Sequence, residues 1–386
     1  MSFDADVIVA GGGTVGLAAA AALAQAGFAV TLIERAAAPA AFEGGEVDAR
    51  VYALSPASVH LLDTLGIWSA IAAARISPYR GMQVWHQQPD EALRFDALPD
   101  QPLGWIVEHS LLNAALWAQA GEWQRLSKTT ITETRADEDG VGVTLADGRS
   151  LRARLLVVAD GPDSPLREQL GIDSIGWDYA QRALVAHVTT EKPHGGIARQ
   201  RFLPTGPLAL LPLADGRCSI VWSCHTTLAD ELMALDDAAF RLRLGTASGQ
   251  VLGAVTACTP RQSFALRLKH VPAPLVPGAV AIGDAAHVVH PLAGQGVNLG
   301  LADAATLAAT LAAARADGRG WWRARTLQSY VRQRSAETVE MLAMTDGLHR
   351  AFGGDALLGR ALGRGLSTVN RAGPLKQWFA ARAQGA

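Results

Sequence analysis

The stretch GGGTVG at residues 11–16 limits what this chain can fold into more than any other segment. Ahead of it, ADVIVA reads as a short strand buried on both faces. Behind it, LAAAAALAQAG reads as a helix capped by Gly27, and FAVTLIER, residues 28–35, as a second strand ending on Glu34. Strand, glycine loop, helix, strand and acid in this register make the βαβ unit of a dinucleotide-binding fold. Gly11 permits the tight turn, Gly13 lets backbone approach a pyrophosphate, and Gly16 lets helix and strand pack closely. The helix N-terminus offers unpaired N–H groups and partial positive charge to phosphates. Glu34, with Arg35 beside it, stands where ribose hydroxyls arrive. The fingerprint serves NAD and FAD alike.

Two further glycine turns separate them. In LLVVADGPDSPLR, residues 155–167, a hydrophobic strand ends at Asp160-Gly161 and a helix follows over residues 164–171. In GAVAIGDAAHVVHPLAGQGVNLG, residues 278–300, a buried strand ends at Gly283-Asp284, where a carboxylate can hold the hydroxyls of a ribityl chain. Pro291 stops any helix through the motif. Gly294, Gln295 and Gly296 present backbone N–H groups, and a helix is expected from near Val297. Its positive end suits the N1/C2=O edge of a reduced flavin, an effect of about 0.3–1 kcal/mol at an exposed helix end. The pair His287 and His290 is a poor metal site: no third ligand is near, and Pro291 and the glycines prevent the helical spacing that joins two histidines in HExxH. The two histidines either shape the loop or stand near the flavin.

Composition narrows the rest. A formal charge of −2 over 386 residues gives no footprint for nucleic acid. Three cysteines, Cys218, Cys224 and Cys258, form no CxxC pair, which argues against a disulfide framework or a zinc site and fits a reducing cytoplasm. Even spacing places Cys218 and Cys224 on one face of a strand as packing residues. The N-terminus has no basic region ahead of its first strand, unlike a signal peptide, and no run of eighteen apolar residues suggests a span.

The three motifs, in this order, resemble those of FAD-dependent aromatic hydroxylases with the 4-hydroxybenzoate hydroxylase fold. Residues 48–68, 103–117 and 207–222 are similar to the ubiquinone-biosynthesis branch of that group. YRGMQVWH (residues 79–86) and WDYAQRALVAHVTTEKPH (residues 177–194) are most similar to the member acting at carbon 5 of a polyprenylphenol. The resemblance implies that Arg50 lies near the flavin and its phosphates, that Asp160 is the acid of the DG motif, and that Asp284 lies on the ribityl chain. It places Gln295, Gly296 and Asn298 under the flavin ring. In some relatives an arginine in the segment matching residues 107–113 reaches the FAD; here VEHSLLN has none, which implies a looser hold on that side.

The fold implied is α/β: a discontinuous Rossmann-like FAD-binding domain (residues 1–76, 103–174 and 270–333), a β-sheet substrate domain (77–102 and 175–269) and C-terminal helices (334–386). The chemistry implied is ring hydroxylation through a flavin C4a-hydroperoxide, with O2 as co-substrate and NAD(P)H or a protein electron donor as reductant. Such a reaction needs no nucleophile–base pair, and none stands out. His187, on an apolar strand, and His290 are candidates for drawing off the phenol proton, with sheet packing the plainer role for His187. The substrate expected is a polyprenylated phenol hydroxylated at carbon 5; hydroxylation at carbon 1 or 6, a small soluble phenol, or a flavin-binding subunit without turnover are the alternatives. A homo-oligomer or a complex with other ubiquinone-biosynthesis proteins is expected. Trp378 and Phe379 beside Lys376 and Arg382 suit a peripheral membrane contact at the inner face, or packing against the protein body or a partner.

Overall fold

The structure is a computed structural model and describes residues 3–86, 92–99, 101–289 and 295–353. The residues Lys376, Trp378, Phe379 and Arg382 lie outside this set, as do His290, Pro291 and Gly294.

Strand Ala5–Ala10 occupies the middle of a sheet whose main run is Leu275–Val276, Ala279–Ala281, Ser150–Val158, Ala5–Ala10, Val30–Ile33 and Gln124–Leu126. All neighbours in this run are parallel except the first pair. Parallel strands covered on both faces read as continuous apolar runs, and VIVA and LLVV do so. Their side chains alternate between two cores. Val7, Val9, Leu155 and Val157 face the helices Thr14–Gln25 and Gln295–Ala316. Ile8, Ala10, Leu156 and Val158 face the hairpin Ile131–Asp137/Gly140–Leu145.

The second strand, expected over residues 28–35, spans Val30–Ile33, and Gly27 takes the first two residues from it. With φ +83° it closes the first helix, with Phe28 N–H donating to Leu23 O (3.1 Å) and Gly27 N–H to Ala24 O (2.9 Å). The ring of Phe28 then packs edge-on to Trp321 at 4.8 Å. Helix Gln295–Ala316 is apolar and long enough, by length and composition, to cross a membrane. Here it is a core helix, with Leu301, Ala304, Leu307 and Leu311 buried against the first helix and the sheet.

A second sheet runs Leu93–Asp96, Gly81–Trp85, Ile197–Leu203, Gly206–Pro212, Cys218–His225, Ile175–Thr190, Gln262–His270 and His287–Val288, with Val255–Cys258 also paired to Ile175–Thr190. One face is backed by helices Thr226–Ala234 and Asp237–Ala247; Cys218 and Cys224 are buried there together with Trp222 and Phe240. The other face is turned toward the first sheet's loops. The final strand of the sheet, His287–Val288, comes from the third glycine motif, so the motif joins the two sheets directly. A small sheet of Val51–Leu54, Gly104–Glu108 and Ser77–Tyr79 fills the gap beside them.

Candidate functional site

Three adjacent parallel strands, Ala5–Ala10, Ser150–Val158 and Ala279–Ala281, each end in one of the three glycine motifs. Loops that are nearly three hundred residues apart in sequence therefore emerge side by side at one sheet edge, the position where open α/β sheets bind ligands. Their backbones touch. A Cβ on Gly11, whose φ is +112°, would lie 2.2 Å from Ala159 O, and one on Gly16 would lie 2.0 Å from Gly11 O. A Cβ on Gly13 would meet nothing within 4 Å, so this loop faces open space. Two glycines then close around Val15: a Cβ on Gly300 would sit 2.4 Å, and one on Gly283 3.0 Å, from its methyls. Arg167 joins the second motif to the third, its Nη1 donating to Pro162 O (3.3 Å) and Ala285 O (3.1 Å).

The acids sit at the rim and floor of this edge. Glu34 accepts from Gly12 N (2.5 Å) and Ala36 N (2.6 Å), holding its carboxylate over the first loop. Arg35 is exposed and does not line the cavity. Asp160 Oδ2 accepts from Leu166 N (3.4 Å), whereas Oδ1 is buried with no partner. Burial raises the Asp160 pKa against the pull of Ser164, Leu166 N–H and Arg167. Asp284 is open to the cavity it lines but enclosed by protein elsewhere; that enclosure raises its pKa, with His287 and Arg50 acting the other way.

The cavity measures about 440 Å³. On one side are Gly13, Thr14, Arg50, Gly161, Asp284 and Gly296; on the other are Tyr79, Met82, Ala198, Gln200, Ala209 and Val221 from the second sheet and its neighbour. Arg50 lies over the Tyr52 ring at 5.5 Å, exposed toward the cavity. Its loop is held by Asp48, which accepts from Arg50 N (3.0 Å) and Ser110 N (3.1 Å). Glu108 holds Asp48 N (2.7 Å) and the Arg75 guanidinium (2.6 Å) in turn.

His187 belongs to this support. Its Nε2 donates to Asp48 O at 2.9 Å, it is buried, and it lies outside the cavity wall. The structure thus gives it the packing role and not the proton-accepting one. Where the arginine is missing, a chain of four hydrogen-bonded residues has formed. Thr14 Oγ donates to Asn113 Oδ1 (2.6 Å), Asn113 Nδ2 to His109 Nε2 (3.2 Å), and His109 Nδ1 meets Tyr52 Oη (2.9 Å). Burial raises the Tyr52 pKa, with Arg50 and then Thr14 acting the other way. Since an amide oxygen only accepts and an amide nitrogen only donates, the chain runs in one direction and puts the His109 proton on Nδ1. Burial, then Arg50, lowers the His109 pKa, so the ring is neutral at pH 7.

The third motif differs from expectation in detail. Its helix begins at Gln295, two residues early; the first turn has unpaired N–H groups in any case, so Gly296 costs little there. Gly296 and Val297 consequently face the main cavity. Gln295 and Asn298, three residues apart, turn together to a second cavity of about 290 Å³ behind the helix. Asn298 Oδ1 accepts from Ser55 N (2.9 Å) and Ser58 Oγ (2.7 Å), and its Nδ2 donates to Ala53 O (2.8 Å). It anchors the turn after the Arg50 strand and does not line the main cavity.

Beneath the motif is a buried charge cluster that the sequence reading missed. Asp303 accepts from Gly283 N (3.0 Å) and pairs with His287 Nε2 (2.5 Å) and Arg334 Nε (2.8 Å). Burial alone would raise the Asp303 pKa, but His287 and Arg334 outweigh it and the net shift is downward. His287 therefore shapes the loop from below. The available signal was the lone acid in LGLADAATLAATLAAA: a charge on so apolar a helix requires a partner.

Comparisons with known proteins agree with this geometry. The family described as "FAD binding domain" matches residues 4–345. The chain is 38% identical over 386 residues to the ubiquinone hydroxylase UbiL of Rhodospirillum rubrum, covering 99% of this chain and 90% of that one. It is 37% identical over 380 residues to the 3-demethoxyubiquinol 3-hydroxylase of Escherichia coli, covering 96% of each. Among solved structures, p-nitrophenol 4-monooxygenase PnpA from Pseudomonas putida superposes with a TM-score of 0.77 at 19% identity, over 99% of this chain and 98% of that one.

Proposed function

The chain belongs to the FAD-dependent hydroxylases of ubiquinone biosynthesis, with the 4-hydroxybenzoate hydroxylase fold, and from that premise we propose that it hydroxylates the ring of a polyprenylated phenol at carbon 5. FAD fits the residues present. Gly13 opens onto empty space, Asp160 has an orphaned buried oxygen, and Asp284 lies unpaired on the cavity floor. Glu34 would hold the adenosine ribose, the N–H groups after Gly13 the pyrophosphate, Asp160 and Asp284 the ribityl side, and the Gly296 turn the pyrimidine edge. Arg50 would add positive charge along the phosphates.

Bound FAD would supply the oxygen-activating chemistry, with O2 as co-substrate and electrons from NAD(P)H or a protein donor. The chain's own residues have three tasks. The hydrogen-bonded chain of Thr14, Asn113, His109 and Tyr52 fixes the cavity wall and leaves no unbonded imidazole there. The helix beginning at Gln295 points its positive end at the cavity, where it would stabilise negative charge on a bound cofactor. The apolar sheet face excludes water from the reacting edge.

The observation that carries the reading is the single cavity shared by the three loops and the small-residue sheet face. Carbon 5 rests on residues 79–86 and 177–194, of which Tyr79 and Met82 line that cavity. A substrate with a polyprenyl tail resides in a bilayer, so we place the enzyme peripherally at the inner membrane face. Lipid extraction from cells lacking the protein tests the assignment. Accumulation of a polyprenylphenol unhydroxylated at carbon 5 supports it; a precursor lacking the carbon 1 or carbon 6 hydroxyl moves the position, and unchanged quinone content rejects the pathway. Protein in the soluble fraction, with none in the membrane fraction, rejects the location.

A further inference from the structure

We propose that Gln200 is the residue that binds the phenolic oxygen of the substrate and so selects which ring carbon faces the flavin. This rests on the reading that the ring is held in the main cavity.

Gln200 lies on strand Ile197–Leu203, in register with Ala209 and, through it, with Val221; all three line the cavity. Ala198, two residues earlier on the same face, is in register with Met82. The amide is therefore surrounded by small or flexible apolar side chains, and it makes no hydrogen bond with any described residue. A half-buried amide with room around it and nothing to bond is ready for a ligand oxygen.

The other polar side chains that this sheet brings to the cavity, Arg199 and Arg267, are engaged elsewhere. Arg199 points to the opposite face: its Nη1 donates to His194 O (2.8 Å) and Ile197 O (3.2 Å), and its charge acts on Cys218 in the helix-backed core. Arg267 is held toward solvent by Asp163 at 3.5 Å. Tyr79 is packed with Phe95, Leu103 and Ile106. Across the cavity, Tyr52 bonds His109 and Thr14 bonds Asn113. Among the described residues, Gln200 is the uncharged polar side chain that this sheet offers to the cavity.

The chemistry suits a phenol. A phenolic O–H donating to the amide oxygen leaves the ring electron-rich at its ortho and para carbons, and the amide takes no proton itself. Holding the oxygen at one point of an otherwise apolar wall sets the rotation of the ring. Gln200 is thus a positioning residue for regiochemistry and not a base.

The test uses holoenzyme, a phenol carrying a short prenyl chain, and the methyl ether of the same phenol. Dissociation constants are read from the change in flavin absorbance, without turnover. The wild type should prefer the phenol by about tenfold, the worth of one buried hydrogen bond. Gln200→Leu should keep full flavin content, bind both ligands within about twofold, and give a mixture of ring-hydroxylated products. Gln200→Glu, which retains an acceptor oxygen, should restore one main product. Undiminished preference for the phenol in Gln200→Leu overturns this inference alone. A wild type that retains FAD yet binds neither ligand overturns it together with the proposed function.

Discussion

The two walls of the cavity are built on opposite principles. The glycine-loop wall is made of backbone in contact with backbone, where a methyl group at Gly11 or Gly16 would overlap a carbonyl at 2.2 or 2.0 Å. The sheet wall is made of side chains, chiefly alanines and aliphatic residues, with space between them. The first kind of wall fits one ligand of fixed shape, because its donors are N–H groups that cannot move. The second adapts by exchanging side chains. One enzyme class can therefore keep a cofactor constant while its substrate changes.

Substitutions on the two walls should separate cleanly. The largest effect is expected from Gly16→Ala, whose added methyl must displace backbone. It should cost about 3 kcal/mol or more and yield little soluble holoprotein, measured by thermal melt and flavin absorbance. Gly13→Ala, with nothing within 4 Å, should fold normally and lose only flavin affinity. Equal folding of the two variants would break the contrast. Next is the charge cluster below the loops. Arg334→Met leaves the buried Asp303 carboxylate with His287 and the Gly283 N–H and should cost about 3–5 kcal/mol in a denaturant titration. The Asp303 contribution is present above the ordinary carboxylate pKa of 3.8 and is lost as pH falls through its lowered folded value.

Asp284→Asn sharpens the contrast within the cofactor wall. Flavin binding should weaken at least about tenfold, read by fluorescence titration. The apoprotein should be no less stable at pH 7. A carboxyl whose pKa rises on folding holds its proton better in the native chain, so cofactor-free stability falls as pH climbs from 3.8 through the raised value. The amide variant should lack that decline. On the sheet wall, Ala209→Leu should leave flavin content unchanged and raise KM for a prenylphenol about tenfold. The smallest effect concerns the far face of that sheet: burial pushes the Cys218 and Cys224 thiols up to about 11, so alkylation of native protein at pH 8 should leave both unlabelled.

This difference between walls also explains what the sequence disclosed. A wall made of backbone needs glycine, and glycine in register with strands and acids is visible, so Gly11, Asp160 and Asp284 could be picked out and do converge. The sheet wall needs only alternation, and IARQRFL hides even that: three polar residues stand in a row, with Arg199 buried on one face and Gln200 open on the other. The glycines before Val297 hide a helix that already starts at Gln295, and the resemblance alone, which places Gln295 and Asn298 under the flavin ring, does not show that both face the cavity behind that helix. The hydrogen-bonded chain through Thr14, Asn113, His109 and Tyr52 draws on three separate elements, so no local pattern marks it.

A crystal of the protein grown with FAD tests the central claim most directly. The account predicts one FAD per chain, its ribityl hydroxyls on Asp284 and its isoalloxazine edge against Gly296 in the 440 Å³ cavity, facing the alanine-lined sheet, and its adenosine ribose outside that cavity on Glu34. Density for the cofactor anywhere else, or a cofactor that contacts fewer than all three loops, would contradict it.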